Sequence, residues 1–167
     1  SASVFQDQFT LSKLIALRPE STVEKIGKLL SDLVYAKVLT LASGSVLEQK
    51  AVYRFSRSVL RETIYNRTPV LQLQEWHRIV AERLVSSENK KAIYQIAFHF
   101  AHAKMPAEAF RFNLLAAQDA RDAGLPLDTS RYLLQCDESL KAIKGQSLPE
   151  SERLKYFRLA SDFYATE

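Results

Sequence analysis

Val38-Leu39-Thr40-Leu41 and Ala51-Val52-Tyr53-Arg54-Phe55 stand on either side of Ala42-Ser43-Gly44-Ser45. Both runs are rich in β-prone side chains, and Gly44 can take positive φ in the connection, so the stretch reads as a β-hairpin. On its N-terminal side, Ser21 and Glu24 have capping-box spacing. Val23, Ile26, Leu29, Leu30, Leu33 and Val34 then recur at three- and four-residue intervals up to about Tyr35. A helix therefore leads into the hairpin. Further back, residues 5–18 hold Phe5, Phe9, Leu11, Leu14, Ile15 and Leu17, with Thr10 as an N-cap and Pro19 as a break, and read as a short helix.

From Ser56 onward the strand signals stop. Val59, Leu60, Ile64 and Tyr65 give a short helical stripe ending near Asn66. Thr68-Pro69 is a cap followed by proline at the first helical position, opening a stripe of Leu73, Trp76, Ile79, Val80 and Leu84 that Ser86-Ser87 closes. Ile93, Ile96, Ala97, Phe100 and Ala101 mark the next helix. Met105-Pro106 ends it and starts another, running through Ala109, Phe112, Ala116 and Ala120 to a C-cap at Gly124. Pro126 and Asp128 start a helix with Tyr132, Leu133, Leu140 and Ile143, up to Gly145. Ser147 and Glu150 cap a last one carrying Leu154, Phe157, Ala160 and Phe163.

The fold class expected is mainly α. Residues 1–88 form a small winged-helix-like domain with one β-hairpin and a bridging helix over Pro69–Ser86, and residues 89–167 form antiparallel helical hairpins.

Composition limits function. The 167 residues are 47% hydrophobic and 25% charged, as in ordinary globular domains, and no run approaches the roughly 18 uncharged apolar residues of a membrane span. Gly27, Gly44, Gly124 and Gly145 are isolated from one another, whereas loops that cradle phosphate need clustered glycines, so no nucleotide cofactor is expected. Cys136 is the only cysteine and builds no internal disulfide, consistent with a cytoplasmic chain. Residues 1–88 carry twelve Lys/Arg against nine Asp/Glu, and residues 89–167 eleven against ten. The excess concentrates at Lys50, Arg54, Arg57, Arg61 and Arg67, opposed only by Glu62. That cluster suits phosphate, anionic lipid or an acidic protein face, while a solvated helix face beside a hairpin is the plainer reading.

Several stretches together carry a family resemblance. They are Ala2-Ser3-Val4 with Phe9, Leu29-Leu30 with Leu33, Tyr53-Arg54-Phe55-Ser56-Arg57 with Leu60-Arg61-Glu62-Thr63-Ile64-Tyr65, and Trp76-His77-Arg78 with Ala81-Glu82-Arg83-Leu84. This pattern resembles the region just after the nucleotide-binding module in multidomain STAND-type signalling ATPases, in particular those fused to class III (soluble-type) adenylyl cyclases. Ala97, Phe100, Ala109 and Ala116 fall at the spacings of tetratricopeptide hairpins, where small residues let paired helices approach closely. Asp137 departs from that spacing, which expects a small alanine. The resemblance implies a winged helix that packs on the nucleotide-binding module of its own polypeptide, followed by repeats that bind other proteins. The family's Walker and catalytic residues lie upstream of the matching region, so none is carried over and the stretch itself is expected to be non-catalytic. Ser1–Phe9 and Phe163–Glu167 fall inside the pattern, which reads as an excised piece of a larger signalling protein.

The expected docking residues are Arg54, Arg57, Arg61 and Glu62, with Tyr53 and Trp76 structural. Other constellations are weaker. His99 and His102 are three apart, with Cys136 on the next hairpin, but no fourth metal ligand is evident, so no metal is expected. His77 lies near Glu75 and Glu82 without any nucleophile motif. The alternative function is a DNA-binding winged-helix regulator with a helical sensor domain. Between Thr22 and Tyr35, however, Lys25 and Lys28 are offset by Glu24 and Asp32, and neither Asn nor Gln is available to read an adenine edge.

Overall fold

The computed structural model describes residues 2–5, 8–17, 21–45, 48, 50–87, 92–143 and 148–165. The protein is mainly α with one small antiparallel sheet, and it divides into two units, Ser1–Ile79 and Val80–Glu167. The dividing point falls within a helix rather than at 88/89.

In the first unit a 3-10 turn, Ala2–Val4, precedes β1 (Gln8–Thr10), α1 (Leu11–Leu17) and α2 (Val23–Tyr35). The hairpin strands β2 (Leu39–Ser43) and β3 (Val52–Phe55) follow, then α3 (Ser58–Arg67). The sheet order is β1-β3-β2, all antiparallel, so the late strand β3 is central and pairs on both edges. Element order and strand order are those of a winged helix. Period-two alternation along β3 puts Tyr53 and Phe55 on the inner face and Val52 and Arg54 on the outer one. Tyr53 lies opposite Phe9 on one side and Leu41 on the other. Phe9 stacks on the Tyr53 ring with centroids 5.8 Å apart, and Phe5 stacks on Phe9 at 6.0 Å. Leu11, Leu14, Ala16 and Leu17 of α1, Ile26 and Leu30 of α2, and Val4, Leu39 and Ala51 are buried with them.

Three details of this unit differ from the sequence reading. Residues 8–10 are strand rather than helix, because β3 offers a free edge that Phe9 fills from the core side. Thr10 still caps α1, accepting from the Lys13 N–H at 3.3 Å. The α2 cap is Thr22 rather than Ser21, accepting from the Lys25 N–H at 3.3 Å. Leu29 and Leu33, counted in the apolar stripe, face solvent, while the buried set of α2 is Ile26, Gly27 and Leu30. Pro19 lies outside the described residues. Gly44 has φ of 82°, as its place in the connection requires.

Helix α4 (Val70–Ser86) carries the chain across the dividing point, burying Trp76, His77, Val80 and Ala81. Thr68 does not cap it: its hydroxyl donates to the Ile64 carbonyl at 2.7 Å and closes α3, and Pro69 supplies the first accepting carbonyl of α4.

The second unit holds α5 (Ile93–His102), α6 (Pro106–Asp122), α7 (Pro126–Ala142) and α8 (Glu150–Tyr164). Short connections force antiparallel neighbours, and Ala109, Ala116, Ala117 and Ala120 of α6 are buried where small side chains allow close approach. α8 buries Tyr156, Leu159 and Phe163, so Leu154 and Phe157 of the expected stripe are exposed instead. Pro149 occupies its N-cap position, and Ser147 and Gly145 lie outside the described residues. Asn113 is fully buried on α6 with neither amide atom hydrogen-bonded, a burden of about 1–3 kcal/mol. Among the described residues no helix is long and apolar enough to cross a membrane.

One closure recurs three times. After α2, α5 and α6 the next two N–H groups donate back to carbonyls in the last turn: Lys37 to Val34 and Val38 to Leu33, Lys104 to Ala101 and Met105 to Phe100, Gly124 to Arg121 and Leu125 to Ala120. This is the Schellman pattern, which needs a left-handed residue after the cap. Lys37 and Lys104 both stand at φ 58° and Gly124 at φ 70°. A Cβ on Gly124 would meet nothing within 4 Å, so only backbone strain separates the three sites. Lys104→Gly should therefore stabilise the protein by about 0.5–1 kcal/mol, and Gly124→Ala should destabilise it by about 1 kcal/mol, read by urea unfolding. Shifts of opposite sign would contradict the strain assignment.

Candidate functional site

The four expected docking residues lie on β3 and α3 of the first unit. Arg54 stands on the outer face of the sheet in a row with Gln8 and Thr40, and its Nε donates to Thr40 Oγ1 at 3.2 Å. Arg57 is the N-cap residue of α3 and Arg61 follows one helical turn later, so the two share a side of the helix. Glu62 is turned about 100° away from Arg61. The structure thus brings Arg57 and Arg61 together, and places Arg54 on the strand and Glu62 on another side. Among the described residues Arg57, Arg61 and Glu62 make no ion pair and no side-chain hydrogen bond.

Helix α3 has no buried residue. Leu60, Arg61 and Tyr65 are half-buried, and Ile64 and Val59 are exposed. Leu60 and Ile64 fall with Arg57 and Arg61 at the i, i+3, i+4, i+7 spacing of one helical face, a pattern visible in the sequence once Arg57 is taken as the cap. The helix starts without a capping side chain and without an acidic residue in its first turn, so nothing on the helix itself compensates its positive end. Its far end is anchored by the Tyr65 hydroxyl, 2.9 Å from Nε2 of the buried His77 on α4, with the two rings edge to face. Burial pushes the Tyr65 phenol up, and Arg61 partly offsets that.

Charge follows the structural division more sharply than the halves of the sequence suggest. Residues 1–79 carry 11 Lys/Arg against 7 Asp/Glu, and residues 80–167 carry 12 against 12, so the whole net charge of +4 sits in the first unit. It does not sit on α2, the helix that a DNA-binding winged helix lays in the major groove. There Val23, Leu29, Leu33 and Tyr35 are exposed, beside Glu24, Lys25, Lys28 and Asp32 in balance. Such a face suits protein better than phosphate.

The histidine and cysteine candidates do not converge on a site. His99 is buried, whereas His102 is exposed with Nδ1 at 2.9 Å from the Phe98 carbonyl oxygen. Cys136 is fully buried, its thiol donates weakly to the Phe110 carbonyl, and burial pushes it up to about 12, out of reach of thiolate chemistry. Among the described residues no group of three His, Cys, Asp or Glu side chains is placed to hold a metal ion.

Within the second unit two tyrosine–aspartate bonds tie helix pairs: Tyr94 of α5 to Asp119 of α6, and Tyr156 of α8 to Asp137 of α7, each at 2.5 Å. The departure at Asp137 thus has a physical reason, since the carboxylate accepts from the neighbouring helix. Tyr94 also stacks on Tyr132 of α7 at 5.3 Å. No known protein family, no curated protein and no solved structure matches this chain.

These phenols set an alkaline limit. Asp119, hydrogen-bonded to Tyr94, pushes its phenol up to about 12, and burial followed by the bond to Asp137 raises Tyr156 as well. A phenol raised in the folded state holds its stabilisation below the ordinary value of 10.0 and loses it as pH climbs towards 12. Urea unfolding between pH 9 and 12 should show stability falling across about 10–12, and Tyr94→Phe should make that fall shallower. An identical fall in the variant would show that Tyr94 does not set the limit.

Proposed function

We propose that this chain is a non-catalytic regulatory and protein-interaction module of a cytoplasmic multidomain signalling ATPase or adenylyl cyclase. Its winged-helix unit docks on the nucleotide-binding module of the same polypeptide, and its helical hairpins bind other proteins. The observation that carries the reading is the pair Arg57, exposed, and Arg61, half-buried, neither ion-paired to a carboxylate among the described residues, on a helix with no fully buried residue. The resemblance of Tyr53–Tyr65 and Trp76–Leu84 to the corresponding region of STAND-type proteins supplies the partner. The apolar, charge-balanced face of α2 favours protein docking over the DNA-binding alternative. A module without chemistry regulates by contacting two states of its partner unequally, so this one holds either the ATP- or the ADP-bound form more tightly and shifts the equilibrium by that difference.

Arg57→Glu with Arg61→Glu in the complete protein should change its nucleotide-dependent activity at least about fivefold. The same double variant of this chain should keep its circular dichroism and unfolding midpoint, because no residue of α3 is fully buried and neither arginine is ion-paired among the described residues. Unaltered activity and nucleotide response in the folded variant would exclude these arginines from docking.

A further inference from the structure

We propose that the outward face of α8, formed by Leu154, Phe157 and Tyr164 and flanked by Arg153 and Arg158, receives an acidic amphipathic helix of a partner protein. The inference rests on the helical hairpins being the protein-binding half and gives the bound element its chemistry. One side of α8 packs within its own unit: Tyr156, Leu159 and Phe163 enter the core shared with α6 and α7, where Tyr156 meets the Phe110 ring at 5.7 Å. The opposite side is exposed and yet apolar. Leu154, Phe157 and Tyr164 are 61%, 52% and 52% exposed, and with Ser161 they stand at i, i+3, i+7 and i+10, one continuous stripe of a helix. The two exposed rings are also held in place, since Phe157 lies 5.3 Å from the buried Tyr156 ring and Tyr164 5.3 Å from the buried Phe163 ring. Rings already fixed lose little freedom when covered, and an apolar stripe rimmed by charge is a surface suited to another chain.

Charge selects the occupant. Arg153 and Arg158 border the stripe on its two sides, both exposed, and neither makes an ion pair or a side-chain hydrogen bond among the described residues. The acidic residues of α8 lie elsewhere. Glu152 accepts from Arg111 at 2.7 Å, Glu150 stands in the first turn at the positive helix end, and Asp162 is turned away from the stripe. A second copy would not complete this face: parallel pairing sets Arg153 against Arg158 of the other copy, and antiparallel pairing centred on the stripe sets Arg158 against its own equivalent. An incoming helix with carboxylates on either side of an apolar stripe satisfies both features, because arginine presents a planar fork matched to carboxylate. Nucleic acid fits less well, since Phe157 and Tyr164 are about 10 Å apart along the helix axis, against roughly 3.4 Å between stacked bases. The stripe from Leu154 to Tyr164 is about 15 Å long, so the partner contributes about three turns.

The test uses the 15N-labelled 167-residue chain and a synthetic amphipathic peptide of about fourteen residues, with leucines along one face and glutamates flanking them. Its controls are a scrambled peptide of identical composition, the same peptide with lysines in place of the glutamates, and a single-stranded oligonucleotide. The acidic peptide should shift amide resonances within 151–165. Arg153→Glu with Arg158→Glu should weaken its binding at least about tenfold and transfer binding to the lysine peptide. Phe157→Ser should weaken it about fivefold. All three side chains are exposed, so the circular dichroism of these variants should match that of the unaltered chain. Equal shifts of the unaltered chain by any of the three controls overturn the proposal, as do shifts confined to other elements or none at all. Self-association of the free chain that Phe157→Ser abolishes overturns it too, by placing a second copy on α8. Shifts confined to 93–142 remove α8 as the site while leaving the hairpins as the protein-binding half, and docking of the first unit is decided separately by Arg57 and Arg61 in the complete protein.

Discussion

Tyr53, in the central strand of a three-stranded sheet, is the residue around which the first unit is organised. β3 arrives last but pairs on both edges, so β1 and the hairpin depend on it together. Tyr53 is wholly buried, with the Phe9 ring stacked on it and the α1 and α2 leucines completing the core. Losing a ring of this size from such a core costs about 3–5 kcal/mol, a large share of the roughly 5–15 kcal/mol that holds a typical domain.

The same concentration of stability leaves other elements with little support. α2 spends Ile26, Gly27 and Leu30 on the core and turns Leu29, Leu33 and Tyr35 outward, and α3 spends nothing. α3 is held by chain continuity, by the approach of the Ala2–Val4 turn, by Ser56 through its hydroxyl bond to the Lys37 carbonyl at 2.6 Å, and by the Tyr65–His77 contact. Helices held in this way open locally at lower free energy than the sheet does. The second unit is built in the opposite manner. Its alanine-lined helix contacts and tyrosine–aspartate bonds are satisfied internally, while the Asn113 amide on α6 and Oε2 of Glu152 on α8 are buried without hydrogen-bond partners.

Much of this architecture is legible in the sequence, for reasons that differ by element. The hairpin and the helix before it show because β-branched runs, a positive-φ glycine and a 3.6-residue period are local signals. Pro106 and Pro126 at first helical positions and Gly124 after a cap are equally local. β1 is hidden because three residues become strand only when β3 offers them an edge, which no local pattern announces. The exposure of Leu29, Leu33, Val59, Leu154 and Phe157 is hidden for a related reason: a period marks which residues share a face, not whether anything lies against it. The arginine pair is visible as charge excess, but its lack of an ion pair with the carboxylates of the described residues depends on three-dimensional placement.

α3, with no fully buried residue, thus stands beside a sheet that carries the stability of its unit, and native-state hydrogen exchange tests this without any partner. The Tyr53 and Arg54 amides should exchange only through global opening, while the amides of residues 61–67 should exchange through local opening at least about a hundredfold faster. Protection of α3 equal to that of β3 would contradict it.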